Sequence, residues 1–171
     1  MRTFTPDYRN IESAARNRKP ARLPFYEHLI NPESMERITG NKFADLANGG
    51  DSDVREFFRN FNGFFLRHEY DTVSYECCVN GILPNAGALG GHKPGAIHNR
   101  REFEAYPWKE LPDMYWNAFD RRFNAMKSAL PRGMKAVGGV GNGVFEIAQD
   151  LVGFEPLCLL QVDEPDTFAG L

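Results

Sequence analysis

Residues 69–91 constrain the fold more than any other stretch. Val73, Tyr75 and Cys77 alternate with Ser74, Glu76 and Cys78, so a strand here has one apolar side and one polar side. A strand in an ordinary parallel sheet is apolar on both faces, because helices cover both. A polar face that ends in a carboxylate and a thiol suits a barrel strand whose C-terminal end opens into a site. The glycines and prolines that follow break the strand into a long loop.

Strand-like and helix-like stretches alternate along the rest of the chain. Thr5-Pro6-Asp7 signals a helix start and predicts a helix to about Arg18. The basic cluster from Arg16 to Arg22 reads as a solvated helix end rather than an anion site. Residues 23–30 predict a first strand, with Pro24 near its start, where a missing N–H is tolerated. That strand ends in Glu27-His28. Two readings stay open for this pair: a place in a pocket at the strand's C-terminal end, or a simple ion pair at the rim.

Asn31-Pro32-Glu33 opens a short helix that Gly40 stops. Over residues 51–68, Val54, Phe57, Phe58, Phe61, Phe64 and Phe65 recur at helical spacing and predict a core-facing helix. Residues 82–107 carry little periodicity and read as a long loop of the kind that serves as a lid or binding segment. His92 and His98 lie in it without other ligands at metal-site spacing, so they read as solvated histidines. A helix is predicted over 113–130 and a third strand over 134–140. Residues 138–143 then lead directly into a helix over 144–152. This glycine-rich turn has two readings. It can hold a phosphate or carboxylate on free N–H groups, or it can give a tight strand-to-helix turn the room its backbone needs. Its spacing matches neither the dinucleotide fingerprint nor the Walker loop. A short turn or helix follows over 154–160, and Glu164-Pro165-Asp166 starts a final helix.

Alternating βα units imply an α/β fold with parallel strands and right-handed crossovers. With 171 residues the chain is long enough for one domain with a real core. Three strands are few for a closed sheet, and the order reads as the first part of a larger (β/α)8 barrel. The net charge of −3 gives no general drive toward nucleic acid or a membrane surface. No apolar run approaches the roughly 20 residues of a membrane helix. The first residues do not look like a secretory signal, and three cysteines, two of them adjacent, make no disulfide framework. A cytoplasmic location is the expectation.

Several stretches resemble the N-terminal half of the uroporphyrinogen decarboxylase superfamily. They are residues 17–25, the strand start Tyr70-Asp71-Thr72-Val73, residues 102–108 and residues 133–162. Each motif alone is weak, but their order and spacing together are fairly specific, and the similarity covers nearly the whole chain. The resemblance implies a single incomplete (β/α)8 barrel domain over 1–171, because full members are roughly twice as long. The decarboxylases use two arginines after the first strand to grip substrate carboxylates; those positions are Leu29 and Glu33 here. A leucine cannot pair with a carboxylate and a glutamate repels one. The decarboxylases' tetrapyrrole-binding aspartate falls on Cys78, with Glu76 two residues earlier on the same strand face.

The corrinoid methyltransferase branch resembles the chain better. In that branch a zinc ion deprotonates a thiol that takes a methyl group from a corrinoid. Zinc and a corrinoid are therefore implied for a full-length relative. The family's zinc ligands, a His-x-Cys pair and a distant Cys, belong to the C-terminal half, and no His-x-Cys occurs here. No metal ligand is assigned to this chain. Glu76, Cys78 and His28 are the expected catalytic residues, and Glu27, Ser74, Gly139, Gly141 and Asn142 the expected substrate-binding ones.

The expected partners of the full protein are a small molecule or a corrinoid protein, with self-association possible through open sheet edges. The chain alone is expected to be inactive. Two alternatives remain open: decarboxylation of a tetrapyrrole, and a non-catalytic half-barrel that assembles with a partner half.

Overall fold

The computed structural model describes residues 4–91 and 93–171. The chain is mixed α/β. In order it forms α1 (Arg9–Ala15), α2 (Pro32–Thr39), a 3-10 turn (Ala44–Asn48), α3 (Asp51–Arg67), β1 (Thr72–Glu76), α4 (Arg100–Ala105) and α5 (Leu111–Ser128). β2 (Lys135–Gly139), α6 (Val144–Val152), α7 (Phe154–Asp163) and α8 (Pro165–Gly170) follow. β1 and β2 pair in parallel, from Thr72 opposite Lys135 to Glu76 opposite Gly139. Among the described residues no helix is long and apolar enough to cross a membrane. His92 lies outside the described residues.

The chain divides into two compact units, each made of two separated stretches. The first takes in the residues up to Glu76 together with Asp120–Gly139; the second takes in Cys77–Phe119 and Val140–Leu171.

The first unit is built on α3. Phe57, Phe58, Phe61, Phe64 and Phe65 are all buried and pack with Met35, Val73, Met126 and Met134. Burying each such ring stabilises the fold by about 1.5–3 kcal/mol before conformational entropy is set against it. The helical spacing of the aromatics thus fills a core, as predicted. α2 starts where expected, with Asn31 Oδ1 accepting the Glu33 N–H at 2.9 Å, and it stops at Gly40, whose φ of +75° suits a glycine. α1 is shorter than predicted. Asn17 takes a left-handed conformation (φ +53°) and turns the chain out of the helix before Arg18.

The predicted strand over 23–30 does not form, and the sheet has two strands where about three were expected. Arg22 donates to the Glu69 carbonyl at 3.0 Å, Pro24 has no N–H to offer, and Leu23, Phe25, Tyr26 and Leu29 remain exposed. The apolar burial that would press this stretch into a ladder is missing. It still runs beside β1 in the same direction: the Phe25 and Tyr70 rings are 5.8 Å apart, and further along His28 lies 3.6 Å from Glu76.

The N-terminal ends of β1 and β2 are closed by α1 and its flanks. Asp71 is fully buried; it accepts the Asp7 N–H at 2.7 Å and the Asn10 amide at 3.1 Å, and it pairs with Arg22 at 2.8 Å. Ahead of β2, the Tyr8 N–H donates to the Gly133 carbonyl at 3.0 Å.

The second unit has its own core of Ile97, Tyr106, Leu151, Val152, Leu157 and Leu160. The stretch read as a lid is stitched to the end of α6. Gly87 and Ala88 N–H groups donate to the Asp150 carbonyl, Ala96 and Ile97 to the Leu151 carbonyl, and Leu89 to the buried Asp150 side chain at 2.9 Å. The last carbonyls of a helix lack partners within it, and this segment supplies donors. Gly95 is required for the approach, because a Cβ there would run into the Val152 backbone. α4 forms inside the same stretch, capped by Asn99, whose side chain accepts the Glu102 N–H at 3.1 Å.

Candidate functional site

In the first unit the site grows from the alternation in β1. Tyr75 packs against the rings of Phe58, Phe61 and Phe123 at 4.9, 5.7 and 5.6 Å. Thr72, Ser74 and Glu76 therefore face the other way. Thr72 and Ser74 are buried, and the polar face reaches solvent at Glu76, whose side chain is 20% exposed. Ser74 lies below that rim, sealed from solvent.

Glu76 Oε1 stands 3.6 Å from His28 Nε2. That is too long for a good hydrogen bond but close enough for an ion pair once the imidazole is protonated. The other ring nitrogen of His28 lies 3.5 Å from the Tyr26 hydroxyl, so three polar groups line up along the strand end. Gly139, opposite Glu76, makes room for the carboxylate: a Cβ there would sit 2.7 Å from Oε1. Glu27 is not part of this cluster. Glu27 lines a cleft with Tyr70 and His68 instead.

In the second unit Cys77 is buried and Cys78 is half-buried. The Val79 N–H donates to the Val140 carbonyl at 3.1 Å, which holds the Cys77-Cys78 turn beside the glycine-rich turn. Gly141 has φ +80°, and a Cβ on it would lie 2.5 Å from Cys78 Sγ. Tyr115 donates its hydroxyl to the Cys77 carbonyl at 3.3 Å. Burial pushes the Tyr115 phenol above its usual range, and Cys77 and Cys78 push it further. Tyr115 thus joins the thiols, a neighbour the sequence reading missed. It sits on α5 far along the chain, and no local pattern ties it to Cys78.

The glycine-rich turn gives room to three neighbouring side chains. Gly138 clears Phe123, with 3.0 Å to a would-be Cβ, while Gly139 clears Glu76 and Gly141 clears Cys78. The N–H at the start of α6 is taken by the helix's own Glu146, at 2.8 Å from the Gly143 nitrogen. A carboxylate there repels a phosphate. Asn142 is half-exposed beside Gly141.

The described residues do not fit a zinc ion. Among them no three His, Cys, Asp or Glu side chains converge on a point. His98 is held by Glu102, which accepts from its backbone N–H at 2.8 Å and lies 3.0 Å from Nδ1.

The expected residues thus fall into two groups: Glu76, His28, Glu27, Ser74 and Gly139 in the first unit, and Cys78, Gly141 and Asn142 in the second, joined there by Tyr115. A comparison with protein-family models, curated proteins and solved structures finds no match to the chain.

Proposed function

We propose that this chain is the N-terminal portion of a uroporphyrinogen decarboxylase-like (β/α)8 barrel of the corrinoid methyltransferase type, which contributes half of a pocket. The observation that carries the reading is the polarity of the parallel pair. One end of β1–β2 is closed by α1 through buried Asp71, and the other carries Glu76 beside His28. Barrel enzymes use the C-terminal strand ends for chemistry and the opposite ends for stability. The stretch 23–30, with Phe25 beside Tyr70 and His28 beside Glu76, is read as the counterpart of a preceding barrel strand. The exposed Leu23 and Leu29 within it suit a sheet that continues against a partner.

In the reaction of that branch a methyl group leaves a corrinoid and a thiol accepts it. The thiol's proton needs a base, and Glu76 is the carboxylate this chain offers, with His28 beside it to take up or release the proton. Leu29 and Glu33 stand at the positions where a tetrapyrrole decarboxylase needs arginines, which disfavours a polyanionic substrate. Without the ligands of the C-terminal half the chain alone is inactive.

The test is a titration of the purified chain with methylcobalamin. The corrinoid's visible bands and the fluorescence of Trp108 and Trp116 are followed, with uroporphyrin in parallel. Saturable corrinoid binding that weakens in Glu76→Gln supports the proposal. Uroporphyrin binding that is lost in Glu76→Ala would replace it with the tetrapyrrole decarboxylase, and binding of neither removes both. Methyl transfer to a thiol by the chain alone would refute its inactivity.

A further inference from the structure

The cleft that holds Glu27 has a volume of about 410 Å³, in the range that takes small organic ligands. Its walls are aromatic: Phe25, Phe64, His68 and Tyr70. The rings stand at angles to one another, with Phe25 and Tyr70 inclined by 57° and Phe64 and His68 by 45°, so they form walls rather than one stack. Ile30 and Ile38 complete the lining. The only carboxylate in the lining is Glu27, and among the described residues no hydrogen bond or ion pair engages it. Its charge reaches Tyr70, whose phenol is pushed above its usual range by burial and then by Glu27. The guanidinium of the nearby Arg22 is committed to Asp71 and the Glu69 carbonyl.

An anionic group beside aromatic rings in a cleft selects a cation. The lining further selects the kind of cation. A metal ion needs several oxygen ligands, and only one carboxylate is present. A primary ammonium carries three N–H donors to satisfy, against one carboxylate and one phenol. A quaternary ammonium has no donors, sheds water readily and is attracted by ring faces within about 6 Å of their centroids. We propose that this cleft binds a small organic quaternary ammonium, with Glu27 supplying the counter-charge and Phe25 and Tyr70 supplying the ring faces. The site is separate from the Glu76–His28 cluster and does not depend on the barrel reading.

The test uses the full chain and two probes of the same shape: choline and its uncharged isostere 3,3-dimethylbutan-1-ol. Binding is followed by calorimetry and by the shifts of the Tyr70 and Phe25 ring protons. Choline is expected to bind roughly tenfold more tightly than the isostere. Glu27→Gln is expected to remove that preference without weakening the isostere, and Phe25→Ala to weaken both. Glu27 and Phe25 are exposed enough for both variants to keep the fold. Equal affinities for the two probes, an unchanged preference in Glu27→Gln, or no saturable choline binding at millimolar concentration would each overturn the proposal. Equal affinities would mark the cleft as an apolar groove that another segment covers.

Discussion

Asp71→Ala offers the most direct test of how the first unit holds its N-terminal helix. The carboxylate has no solvent exposure, and its two oxygens take three donors: the Asp7 N–H, the Asn10 amide and the Arg22 guanidinium. Removing it leaves the Asn10 amide, itself buried, and the Asp7 N–H without an acceptor. Each hydrogen bond to a charged group contributes about 1.5–3 kcal/mol. The Arg22 part has to be discounted, since its side chain is 34% exposed and water can replace the carboxylate. The expected loss is therefore about 3–5 kcal/mol, in the range for breaking a buried polar cluster by truncation. Asp71→Asn keeps an oxygen for the Asp7 N–H but loses the charge and turns the oxygen facing the Asn10 amide into a second donor, so it should cost about as much. Urea unfolding gives the free energy, and amide exchange gives its location. Protection should fall first at α1 and at Asp7, with α3 last to open. A loss under about 1 kcal/mol for Asp71→Ala would refute the reasoning, because it would mean that water already serves these donors.

Other predictions follow from single environments. Glu36 accepts the Phe43 and Ala44 N–H groups at 2.6 and 2.9 Å and pairs with Lys42 at 2.9 Å. Its pKa is lowered from 4.5 to about 2 by the Ala44 N–H first, then by Lys42 and the Phe43 N–H. A depressed carboxylate stabilises the folded state above its unfolded pKa, and that stability is lost as pH falls through the folded one. Glu36→Gln should therefore lower the melting temperature at pH 7, with the gap to the parent closing between about pH 4.5 and 2. Gly141→Ala should destabilise by roughly 2–4 kcal/mol in denaturant unfolding, from left-handed strain and the clash with Cys78. Gly63→Ala, in α3 with open space around it, should stabilise by roughly 0.5–1 kcal/mol in the same measurement. Cys158 is exposed and Cys77 buried, so a thiol reagent should label Cys158 in the native state and Cys77 only on unfolding, as peptide mapping would show.

What the sequence revealed is what local pattern determines. α3 is legible because five phenylalanines at helical spacing can be buried together only on a helix. α2 is legible because Asn31, Pro32 and Gly40 each do one local job. The failures come where the deciding partner is distant. Residues 23–30 carry the composition of a strand, but a strand also needs a neighbour to accept its ladder, and Arg22 reaches Glu69 instead. α4 had a local signal in Asn99 and Glu102, masked by the glycines and prolines before it. The same glycines that suggested a loose lid are what let the segment approach the end of α6. Gly141 and Tyr115 meet Cys78 and Cys77 only through the fold.

β1 and its first flanking residue carry two carboxylates, and the structure gives them different work. Asp71 is saturated: three donors surround it, no water reaches it, and its charge fastens α1 to the start of the sheet. A group so fixed has no spare lone-pair direction aimed at solvent and cannot exchange protons readily with a ligand. Glu76, at the other end, keeps a fifth of its side chain exposed, sits over a glycine that leaves it space, and has a histidine at 3.6 Å rather than in hydrogen-bond contact. Sequence alone sees two acids near one strand. Exposure separates them: Asp71 is sealed at the start of the sheet, whereas Glu76 reaches solvent at the C-terminal strand end, the end where α/β proteins bind their ligands.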